Sequence, residues 1–317
     1  MALIDWAQLG ARLRDRWAAI RDRDDVQRTL KIVRYTIFAG VVAYLLFRLT
    51  HVGWGQVLDN LPQSYWFYIF FLLRFLALPM SELAIYEIVW RTPLLKFFFV
   101  FIRKRVYNFA VMGYSGEAFL TIWARRRLHL SDKTILMGVK DNNLLSAFTS
   151  NSATVLLIFF LAATDGLRAG LEAFPGAGLL FALAFLSATT LAILVIIFRR
   201  KLIALPPGVM PVLLSVHGVR QILIIGLHAA MYAAALPGAP LQAWLIFIAM
   251  QLVLSRIPFL PNQDVVYLTA ALTLSPIVGM PEAAVAGMLV AEAGLSQLFN
   301  AILFAATAPL ARSTPNR

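Results

Sequence analysis

The sequence predicts an all-α polytopic membrane protein, with about six full spans plus two re-entrant broken-helix hairpins in two inverted-topology repeats. Three observations predict it: an apolar composition, a series of long apolar runs, and the distribution of basic residues between those runs. Of 317 residues, 60% are hydrophobic and 14% charged, whereas a soluble domain is roughly half apolar and about a quarter charged. The apolar runs cover 33–50, 65–90, 106–123, 143–164, 177–198, 209–236, 243–275 with an interruption, and 283–309. Most are near or above the ~20 residues that a helix needs to cross a bilayer.

The organisation follows the runs. Residues 1–32 place Ile4, Leu9, Leu13, Trp17 and Ile20 among Arg and Asp at helical spacing, the pattern of an amphipathic helix lying on the cytoplasmic face. No apolar core precedes Val33, so this segment does not read as a cleavable signal. Residues 33–164 form a first membrane repeat, 165–309 a second, and 310–317 a short basic cytoplasmic tail.

Charge decides orientation. Segment 1–34 carries eight Lys or Arg, 91–105 five, 125–140 five, 199–201 three and the tail two, while 51–63, 237–242 and 276–282 carry none and 165–176 only Arg168. Basic loops stay in the cytoplasm, so both termini are expected inside, in a cytoplasmic (inner) membrane. Runs 33–50, 65–90, 143–164, 177–198, 209–236 and 283–309 then read as full crossings. Two segments must return to the side they came from. Run 106–123 has Arg103, Lys104 and Arg105 before it and Arg125, Arg126 and Arg127 after it, with Gly113-Tyr114-Ser115-Gly116-Glu117 as a small, polar tip. Run 243–275 has uncharged flanks and breaks at Arg256-Ile257-Pro258-Phe259-Leu260-Pro261-Asn262-Gln263-Asp264. Non-helical backbone at membrane depth survives only against protein or a wet cavity. The order span, span, hairpin, span thus occurs twice with opposite orientation, as in transporters whose broken helices meet near the midplane. No run of identical residues is obvious between the halves.

A charge at bilayer depth costs on the order of 3 kcal/mol or more. Arg74, Glu82, Glu117, Arg220, Arg256, Asp264 and Glu292 are therefore candidates for a polar site, together with Tyr114 at the first tip and Asn262 and Gln263 at the second. Structural pairing between helices, or snorkelling to an interface, is the competing reading for each; Arg48 and Glu87 lie near span ends and read as interfacial. Arg74 and Glu82 are two turns apart and cannot touch directly. His217 and Arg220 share a face, with His228 two turns beyond. A proton relay or phosphate site competes there with a plain interhelical hydrogen bond, and Gln297 and Asn300 read as interhelical contacts.

There is no cysteine, which removes disulfides, thiolate nucleophiles and Cys metal sites. No HExxH, GxSxG or P-loop occurs, so no catalytic motif is recognisable, and no cofactor or metal is expected. The net charge of +12 sits beside apolar runs and reads as contact with anionic lipid headgroups, with no nucleic-acid partner.

The ordering resembles the membrane region of lysylphosphatidylglycerol synthases and its stand-alone flippase-like relatives. Tyr107-Asn108, Gly113-Tyr114-Ser115-Gly116-Glu117 and 120–127 resemble that family's Pro-Gly-x-x-Gly-Glu turn and the apolar stretch after it. Pro261-Asn262-Gln263-Asp264, Gly279-Met280-Pro281 and 283–298 resemble its C-terminal turn and last span. The resemblance covers about 33–309. Here Val111-Met112 stand where the first turn usually has Pro, and polar side chains replace the glycines of the second turn. The family's soluble aminoacyl-transfer domain is not in this sequence, so lysyl-phosphatidylglycerol synthesis is not implied. Implied instead is translocation or binding of a phospholipid or lipid-linked headgroup. The two re-entrant tips and Arg74, Arg220 and Arg256 are expected to line a polar cavity open to lipid. A membrane-embedded transferase or accessory subunit of lipid or glycan synthesis is the alternative, with a synthase or a second copy of the chain as partner. A purely structural role for the buried charges is the third reading.

Overall fold

The computed structural model describes residues 53–110, 114–164, 202–255 and 263–308, with scattered positions within 43–50 and 178–198. The expected interfacial helix 1–32, the spans 33–50 and 177–198, the linker 165–176 and the tail 310–317 lie outside the described residues, apart from those scattered positions. Within the described residues the elements are α1 (Trp54–Asp59), α2 (Tyr65–Trp90), a short 3-10 turn (Leu95–Phe97), α3 (Phe98–Ala110), α4 (Ser115–Arg127), α5 (Asp132–Ala163), α6 (Val209–Ala235), α7 (Leu241–Leu254), α8 (Gln263–Leu274) and α9 (Glu282–Ala306). No strand occurs among them. Four helices, α2, α5, α6 and α9, are long and apolar enough to cross a membrane. The chain is an α-helical integral membrane protein.

Local chemistry sets the ends of these helices. Helix α2 stops where Arg91 turns left-handed, at φ 49°, and Pro93 cannot continue it. Glu87 then accepts the N–H groups of Leu94 (2.6 Å) and Leu95 (3.1 Å), which starts the turn into α3. Helix α5 begins at Ser131, whose hydroxyl accepts the N–H of Thr134 at 3.2 Å, as a helix N-cap does. Its 32 residues rise about 48 Å, so it starts eleven residues before the expected run 143–164 and carries its polar first turns past the apolar stretch. One of those polar residues, Asp141, is fully buried because it accepts the N–H groups of Ala204 (2.8 Å) and Leu205 (2.9 Å), ahead of α6.

Two pairs of short helices stand where broken hairpins were expected. Helices α3 and α4, 13 residues each, rise only about 20 Å. Ser115 donates to the Tyr107 carbonyl at 2.7 Å, and the Gly116 N–H donates to Asn108 Oδ1 at 2.7 Å. Gly116 is required at this point, because a Cβ would overlap the Lys104 carbonyl and meet Asn108 Cγ at 2.9 Å. Helices α7 and α8 have 14 and 12 residues and also pack on each other.

Helix α2 packs along α6 at the centre. Around that pair, α3 lies against α2 and α9, α7 against α6 and α5, α4 on α5, and α8 on α9. The larger core gathers Phe71, Phe75, Tyr232, Trp244, Phe247 and Met288 from α2, α6, α7 and α9, and a second core gathers Tyr86, Trp90, Phe101, Leu120 and Ile135 from α2 to α5.

The basic triplet Arg103-Lys104-Arg105 departs from its expected place. Charge counting assigns it to a cytoplasmic flank, but it lies in the middle of α3, with Arg103 3% and Lys104 1% exposed. Each side chain has found partners inside the protein, described below, so these charges do not mark a loop.

Candidate functional site

Three features carry the chemistry: two buried charge clusters and one open groove. The first cluster centres on Lys104 of α3. Its ammonium is ion-paired with Glu82 of α2 and lies 3.0 Å from Glu117 of α4. The same nitrogen stands 5.9 Å from the ring centroid of Tyr86, a cation over a π-face. Asn142 of α5 donates to the Tyr86 hydroxyl at 3.2 Å. Helices α2, α3 and α4 thus share one buried cation, with α5 joined through Tyr86, and Glu117 Oε2 still has no hydrogen-bond partner.

The second cluster centres on Glu292 of α9. It is ion-paired with Arg74 of α2, accepts from the Tyr232 hydroxyl of α6 at 2.9 Å, and lies 3.4 Å from His228 Nε2. The other side of the imidazole, Nδ1, is 3.2 Å from Arg74 Nη1, and the Tyr232 and Tyr267 hydroxyls meet at 2.8 Å. Beside this network is a cavity of about 200 Å³, lined by Arg74, Arg105, Gln251, Tyr267, Glu292 and Asn300, among others. Arg105 reaches its rim by donating to the Phe75 carbonyl at 3.1 Å and stacking 3.8 Å from the Phe75 centroid. Arg103 faces the opposite way, stacked on Tyr107 at 4.8 Å and Phe304 at 5.4 Å and donating to Thr307 Oγ1 at 3.0 Å.

The third feature is a groove of about 570 Å³ between α2 and α6. Its walls are mostly apolar, with Leu73, Leu76, Met80, Val219, Leu223 and Leu227 among them, and among the described residues Arg220 is the one charged group in its lining. Arg220 is 5% exposed and donates from Nη2 to Ser146 Oγ at 3.0 Å; its Nε has no partner. One turn earlier, His217 is fully buried with neither ring nitrogen paired.

The structure therefore joins Glu82 with Glu117 through Lys104, and Arg74 with Glu292 directly. It places Arg220 in a separate groove, away from the cavity that Arg74 lines, and so divides the single arginine-lined cavity expected from the sequence. Tyr114 is 73% exposed and belongs to neither cluster. Arg256 and Asn262 lie outside the described residues, as do the side chains of Gln263 and Asp264, which open α8. Sequence reasoning missed Lys104, Arg105, Tyr232 and Tyr267. A signal existed for Tyr232 alone, in the spacing His228-x3-Tyr232, which puts an ionisable group and a tyrosine one turn apart on one helical face; Lys104, Arg105 and Tyr267 had no local one. Among the described residues, no three His, Asp or Glu side chains converge as a metal site requires. The chain matches no family model, and neither a curated protein nor a solved structure matches it.

Proposed function

We propose that this chain is a flippase-like membrane protein that binds, and carries between leaflets, a phospholipid or lipid-linked headgroup. The observation that carries the reading is the groove between α2 and α6, which combines apolar walls suited to an acyl chain with a buried arginine suited to a phosphate. One helix of each short pair packs on the central helices, and broken helices form the substrate sites of many transporters. In this reading six spans and two re-entrant hairpins stand in a cytoplasmic membrane with both termini inside.

The two-repeat organisation is part of the proposal, and a constant spacing supports it. Shifting the first half by 146 residues moves α2 to 211–236, α3 to 244–256, α4 to 261–273 and α5 to 278–309. Each bound falls within four residues of α6, α7, α8 and α9 in turn. The same shift carries Arg74 to Arg220, Tyr86 to Tyr232, Phe101 to Phe247, Ile102 to Ile248, Leu128 to Leu274 and Val139 to Val285. All twelve of these residues but Arg74 are buried.

Contacts follow the same exchange. Helix α3 meets α9 as α7 meets α5, and α4 lies on α5 as α8 lies on α9. Asp141 of α5 holds the backbone before α6, and Gly287, 146 residues later in α9, lies against the backbone before α2, where an added Cβ would meet Val57 O at 2.9 Å. Such reciprocity is what a two-fold relation between halves produces.

The test is headgroup movement of a fluorescent phospholipid in reconstituted vesicles. Faster movement than in protein-free vesicles is expected, slowed by Arg220→Gln. Equal rates with and without the protein would remove the transport reading.

A further inference from the structure

We infer that Arg220 is the open copy of a duplicated arginine site and binds the phosphate group of an anionic amphiphile whose tail occupies the groove between α2 and α6. The inference rests on the two-repeat reading above and goes on to assign a ligand to one of its positions. The 146-residue shift relates Arg74 to Arg220 and Ser146 to Glu292. Both arginines contact the partner that this relation gives them: Arg74 pairs with Glu292, and Arg220 donates to Ser146 at 3.0 Å. The two sites thus share one geometry and differ in one group, a carboxylate in the first and a hydroxyl in the second.

That difference decides what each arginine can do. Glu292 neutralises Arg74 within the protein. Ser146 is neutral, and among the described residues no carboxylate is ion-paired with Arg220; Glu82, which attracts it from a distance, is itself engaged by Lys104. A buried guanidinium with unused N–H groups gains from an anion that replaces the hydration it has lost. Arginine carries five N–H groups in a planar fork; one Nη2 bond goes to Ser146, and Nε is unpaired. A phosphate group accepts such a fork with two parallel bonds. The surroundings select the rest of the ligand, because Leu73, Leu76, Met80, Val219 and Leu223 line the same groove and offer nothing to a free, hydrated phosphate ion.

The experiment uses the full chain purified in maltoside micelles, titrated with dioctanoyl phosphatidylglycerol, with dioctanoylglycerol of the same tails, and with inorganic phosphate. Phosphatidylglycerol is expected to bind at least about tenfold more tightly than either, since charge-assisted hydrogen bonds differ from neutral ones by roughly that factor or more. Ser146→Glu supplies the missing carboxylate and is expected to weaken binding about tenfold or more, and Arg220→Gln the same. Ser146→Gln, equal in length and neutral, keeps binding within about threefold, which separates charge from bulk.

Wild-type affinity in Ser146→Glu, equal loss in Ser146→Gln, or equal binding of dioctanoylglycerol would each overturn the inference. Binding of inorganic phosphate as tight as that of the lipid would overturn the amphiphile assignment. Should Ser146→Glu fail to fold, shown by aggregation on size exclusion, Arg220→Gln decides alone. Micelles have no second compartment, so a chain that binds but moves no lipid loses the transport reading and keeps this site. Translocation that survives Arg220→Gln at the wild-type rate removes this site and keeps transport.

Discussion

Replacing Lys104 by Met tests whether the α2–α5 half is held together by a shared buried cation. Lys104 is 1% exposed and faces two carboxylates, Glu82 and Glu117. At the 3.0 Å separation from Glu117, a unit-charge pair attracts by roughly 5 kcal/mol in an effective dielectric of about 20. That attraction offsets the loss of hydration of both groups, so the net value of the intact pair is smaller. Removing the lysine alone strands two like charges in the interior, and breaking a buried pair in this way costs about 3–5 kcal/mol. Equilibrium unfolding in mixed maltoside and dodecyl sulfate micelles measures the loss. Lys104→Met is expected to lose that amount, and the triple variant Lys104→Met/Glu82→Gln/Glu117→Gln to regain most of it, since no buried charge of the cluster is left unpaired. A loss within about 1 kcal/mol, the worth of an exposed ion pair, or a triple variant no better than the single one, would refute the reasoning.

Three further outcomes are expected. Gly116→Ala pushes a methyl group into the Lys104 carbonyl and Asn108 and should cost about 1–3 kcal/mol, whereas Gly226→Ala, with nothing within 4 Å, should be neutral or stabilising by up to about 1 kcal/mol; the same unfolding assay compares them. Tyr232→Phe removes a donor to Glu292 and a contact to Tyr267 and should lower stability by about 1–3 kcal/mol, read as a lower melting temperature in detergent. The chain has no native cysteine, so single cysteines report topology cleanly. Lys96→Cys and Arg126→Cys should react with an impermeant thiol reagent from one side of the membrane, and Pro237→Cys and Pro276→Cys from the other. Labelling of Lys96→Cys and Arg126→Cys from opposite sides would remove the re-entrant reading of α3 and α4.

Much of the helical framework was legible in the sequence because an apolar run of 20 or more residues has few alternatives to a spanning helix. Runs 65–90, 209–236 and 283–309 correspond to α2, α6 and α9 within a few residues. Small and polar residues at Gly113 to Glu117 signalled the short helices α3 and α4, while the break expected at 256–264 falls mostly outside the described residues. The fate of Arg103, Lys104 and Arg105 was not legible. Hydropathy weighs each charge as though it met lipid alone, while Lys104 is stabilised by Glu82 from another helix and by Glu117 from across a turn. The pairing of Arg74 with Glu292 was hidden for the same reason, since 218 residues separate them. The sequence pointed to interhelical pairing but could not name the partners.

The burial of Lys104 has a consequence for how the protein is assembled. Of the two carboxylates paired with Lys104, Glu82 precedes it in the chain and Glu117 follows it. A bare ammonium in hydrocarbon costs on the order of 3 kcal/mol or more, so Lys104 is expected to be buried only together with its carboxylates. Glu117 reaches it only where α3 and α4 turn back on one another, at the bond from Gly116 to Asn108. Closure of the α3–α4 turn and full pairing of Lys104 are therefore one event.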